Sequence, residues 1–149
     1  MLSVAGVGGK GPGAAGAKLD IARHPVSGLA VIPLTVTARG KQLRFRVEVA
    51  GTGAEQEKGL MFRASLGPDE GMIFPMNPAR PASFWMRNTV IPLDIIFVGR
   101  DRRILNIAAN AVPYDETPLT SAGSVSGVLE IAGGRAAALG IAAGDRVEW

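Results

Sequence analysis

The stretch VIPLTVTARGKQLRFRVEVA, residues 31–50, decides the fold. In its second half Leu43, Phe45, Val47 and Val49 alternate with Arg44, Arg46 and Glu48. Successive side chains of an extended chain point to opposite faces, whereas a helix gathers residues three and four apart, so this period of two is that of a half-buried strand. Val31 to Arg39 alternates more loosely, and Gly40 between the two runs supplies the turn of a β-hairpin. A hairpin with one apolar face cannot stand alone in water and has to be covered by further strands or a helix.

Outward from the hairpin, Thr52 and Glu55 form a T-x-x-E capping box, which predicts a short helix over 54–62 in spite of Gly59, ended by Gly67-Pro68. Further strands are predicted at 71–76, 83–87, 93–98 and 103–108, with the turn Gly99-Arg100-Asp101-Arg102 between the last two. A long loop is expected over 109–126, then a strand at 128–131, a helical turn at 135–139 stopped by Gly140, and a final strand at 146–149 after Gly144-Asp145. The 20 Gly and 10 Pro fall largely between short apolar alternations, which punctuates many short strands and leaves no room for long helices. The expected fold class is therefore mostly β, α+β by strict count. It is a single compact barrel-like sheet of seven or eight short strands with two short helices, and no internal repeat is found.

A chain of 149 residues that is 47% hydrophobic closes one sizeable core, placed here over residues 26–149. Residues 1–25 are expected to be a flexible leader. Within it MLSVAGVGGKGPGAAGAK, residues 1–18, is Gly/Ala-rich without periodicity and reads as a tag remnant or the tail of a removed export signal.

Composition removes several chemistries. With no cysteine there is no disulfide, thiolate nucleophile, zinc-cysteine site or iron–sulfur cluster, and the single histidine, His24, argues against a His-dependent triad or a multi-His metal site. No metal and no cofactor are expected. Copper bound by Met61, Met72, Met76 and Met86 is disfavoured beside ordinary core filling. Twelve Arg outnumber four Lys, which suits bidentate binding of carboxylate or phosphate. The sixteen basic residues are nevertheless spread in ones and twos against thirteen acidic ones, so no nucleic-acid partner is expected. No stretch approaches the roughly 18 apolar residues of a membrane helix. Walker A, G-x-G-x-x-G, H-E-x-x-H and G-x-S-x-G motifs are all absent.

Five segments carry a resemblance: GLMFR at 59–63, GMIFPM at 71–76, FWMRNTVIPLDIIFV at 84–98, VLEIAGG at 128–134 and LGIAAGDRVE at 139–148. Together they resemble the domain of unknown function 192 family, over a region running from about Phe45 to the C-terminus. The resemblance implies a small β-rich fold with a barrel-like sheet. It also favours an exported or periplasmic location, many members being exported, and it implies no established activity.

Candidate functional residues follow from the side chains. In IPLDIIFV both strand faces around Asp94 are apolar, so its carboxylate needs a partner such as Arg63, Arg87 or Asn88. Glu130 poses the same question one strand away. If Asp94 and Glu130 faced one cleft they would make the acid/base pair of a hydrolase or lyase, with Arg63 stabilising charge. The other reading, to which the absence of His, Cys and metal motifs inclines, is a noncatalytic binding module for a small polar or anionic molecule or a partner chain. Its site would be built from Arg63, Trp85, Arg87 and Asn88 with Asp94 and Glu130. Trp85 and Arg87 lie two apart, so an indole and a guanidinium share a face, beside an amide and a hydroxyl at a strand end.

Overall fold

The computed structural model describes residues 21–149. Residues 1–20 of the expected leader at 1–25 lie outside the described residues. Seven strands form one sheet: β1 (Val31–Ala38), β2 (Lys41–Val49), β3 (Glu70–Phe84), β4 (Leu93–Gly99), β5 (Ile104–Ala111), β6 (Leu119–Ala132) and β7 (Arg146–Glu148). Among the described residues two short helices, α1 (Gly53–Lys58) and α2 (Arg135–Leu139), complete the mostly β fold. The sheet order is β5-β4-β6-β3-β2-β1-β7, curled into a half-barrel. An isolated bridge between Arg103 and Arg146 brings its two edges together at one corner.

The hairpin forms as its pattern predicts, with Leu34 opposite Phe45 and Val36 opposite Leu43. Its two-residue turn holds Arg39 and Gly40 at φ of 53° and 76°, the left-handed pair that matches the twist of the flanking strands. β2 and β3 run parallel, which requires a crossover, and α1 lies in that connection. The Thr52 capping box is present in both directions, Thr52 Oγ1 accepting from the Glu55 amide while Glu55 accepts from the Thr52 amide. α1 ends at Lys58, four residues earlier than the pattern predicts. Gly59, at φ 48°, turns the chain there and lets Leu60 enter the core.

Two apolar clusters lie on the two faces of the central strands. Ile73, Ile96, Val98, Leu129 and Ile131 face the inside of the curl with Val36, Phe45 and Val47. Met72, Phe74, Leu93, Ile95, Phe97 and Val128 face the other way. β4 is buried along its whole length, which is why its sequence is apolar on both faces. Each such side chain taken fully from water contributes about 2 kcal/mol.

Two expectations are corrected. The strands predicted at 71–76 and 83–87 are one strand, β3, kinked in a proline-rich stretch where its register with β6 breaks between Pro75 and Arg80; Trp85 to Arg87 lie beyond its end. The loop expected over 109–126 shrinks, because β5 runs to Ala111 and β6 begins at Leu119. The start of β6, LTSAGSV, has too few large apolar residues to read as a strand, yet it pairs with the kinked half of β3 through Pro81–Ser124 and Ser83–Thr120. Ahead of β1, Arg23 bridges Ala30 in backbone pairing, and His24 reaches the core network described below.

Candidate functional site

Pairing of β2 with β3 ends at Val49–Ile73, short of the break in β3, and α1 follows β2 next to the stretch of β3 left without that neighbour. Between them and the turn that follows β3 lies a cavity of about 380 Å³. Its apolar wall is made of Leu60, Phe74, Met76 and Phe84, the Phe74 and Phe84 rings meeting edge to face at 4.9 Å. Lys58, Arg80, Arg87 and Glu57 stand at its mouth, all four exposed.

Glu130 lines this cavity from β6. Its strand neighbours are Met72 on β3 and Ile95 on β4, so it enters an apolar layer. It is 4% exposed, and its carboxyl group has no hydrogen-bond or ion-pair partner among the described residues. Burial without compensation disfavours the charged form and pushes its pKa up to about 8, so at pH 7 about nine in ten molecules hold the proton. A neutral carboxyl is a hydrogen-bond donor; an ionised one is an uncompensated buried charge.

At the mouth the Arg87 guanidinium lies over the Trp85 indole, 5.3 Å from its centroid, as their spacing of two suggests. Trp85 is 43% exposed and Arg87 makes no ion pair among the described residues. The turn beyond is held by backbone bonds: the Phe62 amide donates to the Asn88 carbonyl at 2.8 Å and the Tyr114 amide to the Thr89 carbonyl at 3.2 Å. Asn88, at φ 53°, offers its side-chain amide to the Met61 sulfur, at 3.9 Å. Phe62 and Tyr114 also have positive φ, costly for bulky residues, and both are exposed.

Arg63 and Asp94 are elsewhere. Arg63 forms a two-pronged pair with Glu48, Nη1 to Oε1 at 2.8 Å and Nη2 to Oε2 at 2.9 Å, and its Nη2 lies 3.0 Å from His24 Nε2. The Ser27 hydroxyl donates to the same Glu48 at 2.6 Å, so this buried network ties the segment before β1 to β2. Asp94 is fully buried, but neither an arginine nor the Asn88-Thr89 turn is its partner. Its Oδ1 accepts from the amides of Asn110 at 2.8 Å and Gly134 at 3.0 Å, and its Oδ2 from the amide of Ala136 at 2.8 Å. It thereby caps α2, whose own N-cap residue, Gly134, has no side chain to do so.

Of the six candidate residues the structure brings Trp85, Arg87 and Glu130 to one cavity, with Asn88 in an adjoining depression lined also by Trp85 and Arg87. The residues that sequence reasoning missed are Lys58, Glu57 and Arg80 at the mouth. Arg80 stood between prolines, where no period could assign it a direction. Among the described residues no three of His, Cys, Asp and Glu converge, and no helix is long and apolar enough to cross a membrane.

The family model DUF192, described as "Uncharacterized ACR, COG1430", matches residues 34–149. No curated protein sequence matches the chain. Among solved structures, a protein of unknown function from Novosphingobium aromaticivorans DSM 12444 is 67% identical, with a TM-score of 0.85, over 87% of this chain and 92% of that one. A protein from Sinorhizobium meliloti 1021 described as "a putative transcription regulator" is 37% identical, with a TM-score of 0.78, over 80% of this chain and 94% of that one.

Proposed function

This chain belongs to the DUF192 family, whose description carries no activity, and we propose that it is a noncatalytic binding module for a small polar or anionic molecule taken into the cavity beside α1. The observation that carries the reading is Glu130: a buried carboxyl with no protein partner among the described residues, facing a cavity whose mouth holds Arg80, Arg87 and Lys58. The carboxyl oxygens open onto the cavity, since no side-chain oxygen sealed in the described protein lacks a partner, and a carboxyl presented without a protein partner in a concave site is matched by what enters. The volume lies in the range of small-molecule sites, and an apolar wall with a few converging polar groups is their usual composition. The anionic group of the ligand belongs at the mouth, where Arg87 is held ready on Trp85.

The hydrolase or lyase reading built on Asp94, Glu130 and Arg63 draws no support from this geometry, because the three groups occupy three separate places and two are consumed by protein partners. A thermal-shift screen of small carboxylates and phosphates tests the binding reading. A ligand present at about 100 times its Kd stabilises the native state by about 2.7 kcal/mol. The shift should shrink in Arg87→Ala and in Glu130→Gln. A panel without shifts, or shifts that both variants retain in full, would count against the reading.

A further inference from the structure

The cavity has a direction. One acid, Glu130, lies at its buried end, and three cations, Lys58, Arg80 and Arg87, stand at its open end against the single acid Glu57. These are the charged groups around it: α1 supplies Glu57 and Lys58, β3 supplies Arg80 and the following turn Arg87, while β4 turns only Leu93, Ile95 and Phe97 to this side. No cation of the described protein reaches the Glu130 carboxyl, so a partner for its ionised form has to come with the ligand.

Building on the binding reading above, we propose that the cavity is a site for a small zwitterion, an amino-acid-like molecule whose ammonium group enters first and pairs with Glu130 while its carboxylate stays at the mouth with Arg87 and Arg80. Such a molecule lays its dipole against that of the site. A simple amine has to pass three cations with only Glu57 to offset them. A simple carboxylate satisfies the mouth but leaves Glu130 beside its apolar end. The zwitterion matches both ends, and its methylenes meet the Phe74, Phe84 and Met76 wall, where an ammonium group is also favoured over a ring face.

The proposal has a proton signature. In the free protein Glu130 holds its proton at neutral pH. Pairing with an ammonium group requires the carboxylate, so the Glu130 proton leaves to solvent as the ligand binds, about 0.9 protons per ligand at pH 7. A plain carboxylate bound through a protonated Glu130 releases none.

Calorimetric titration of the whole chain at pH 7, in two buffers of different ionisation enthalpy, reads this directly. The probes are glycine, 4-aminobutyrate and 6-aminohexanoate, set against butyrate and hexanoate as plain acids and butylamine and hexylamine as plain amines. At least one amino acid should bind about tenfold or more tighter than its acid and amine counterparts, releasing nearly one proton. Glu130→Gln should abolish the release and weaken that binding about tenfold, and Arg87→Ala should weaken it with the release intact. Plain acids that bind as tightly as the amino acids, without proton release, would overturn the zwitterion and leave the anion-binding reading standing. Plain amines that bind as tightly would overturn it as well. If neither amino acids nor acids bind, the zwitterion falls, and the binding reading is decided by the phosphates of the thermal-shift screen.

Discussion

Asp94 and Glu130 lie on neighbouring paired strands and point to opposite faces of the sheet. Asp94 is opposite Ile131, whose side chain fills the inside of the curl, and Glu130 is opposite Ile95, which belongs to the outer layer. Since direction alternates at every residue of a strand, no local adjustment brings the two carboxyls into one cleft. The two acids consequently have different fates: one is consumed by backbone amides, and the other is left for a ligand.

Asp94→Ala should therefore destabilise the fold without touching the cavity. It removes three charge-assisted bonds and leaves the amides of Asn110, Gly134 and Ala136 without their acceptor. A loss of about 2 to 4 kcal/mol in urea unfolding is expected, with ligand-induced shifts retained once the melting curve is allowed for. An unchanged midpoint would mean that other acceptors replace the carboxylate.

Glu130 should give the stability profile an unusual slope. Below pH 4.5 folded and unfolded chains both hold the proton, and the group has no effect on the profile. Between 4.5 and about 8 only the folded chain holds it, so rising pH disfavours folding; above about 8 both forms are ionised and the loss is complete. The full span amounts to about 5 kcal/mol at most. Glu55 and Asp115, whose pKa values are lowered by backbone hydrogen bonds from Thr52 and Thr117, act below this window and with the opposite sign. Wild type should lose melting temperature between pH 5 and pH 8 relative to Glu130→Gln; parallel curves would show that Glu130 titrates normally.

The Glu48–Arg63 pair makes a prediction of sign between variants. Arg63→Met leaves Glu48 buried with only Ser27 and His24 near it and should cost about 3 to 5 kcal/mol. Adding Glu48→Met removes the stranded charge, and the double variant should recover part of that loss. Equilibrium unfolding of the three proteins checks it, and a double variant less stable than Arg63→Met would contradict it.

What could be read in advance was what rests on local rules. The hairpin needed only its period and Gly40, α1 only its capping box, and α2 only the spacing to Gly140. Glu48 shows where such rules stop. Its alternation with Arg44 and Arg46 assigned it to solvent, and nothing within β2 says that His24 to Ser27 cross that face and bury it. The cavity was legible only in part for the same reason. Trp85 and Arg87 are neighbours in sequence, but Glu130 and Arg80 come together only through the pairing of β3 with β6, whose register is broken at prolines and whose partner strand is written in Ser, Gly and Ala.

Gly71 tests that pairing. A Cβ built there would meet the Glu130 carbonyl oxygen at 2.5 Å and Ile131 Cγ2 at 3.1 Å. The first contact is backbone, which no rotamer change relieves, so β3 and β6 have to separate where Glu130 is held. Gly71→Ala should cost about 1 to 3 kcal/mol, the range for overpacking a closed layer. It should also loosen the packing around Glu130, admit more water to the carboxyl, and flatten the slope of stability between pH 5 and pH 8. Gly53→Ala is the matched control: it opens α1, a Cβ there has nothing within 4 Å, and alanine favours a helix over glycine by up to about 1 kcal/mol. It should be neutral or stabilising and keep the slope. If Gly71→Ala melts like wild type with the slope preserved, the close approach of the two strands is not what buries Glu130.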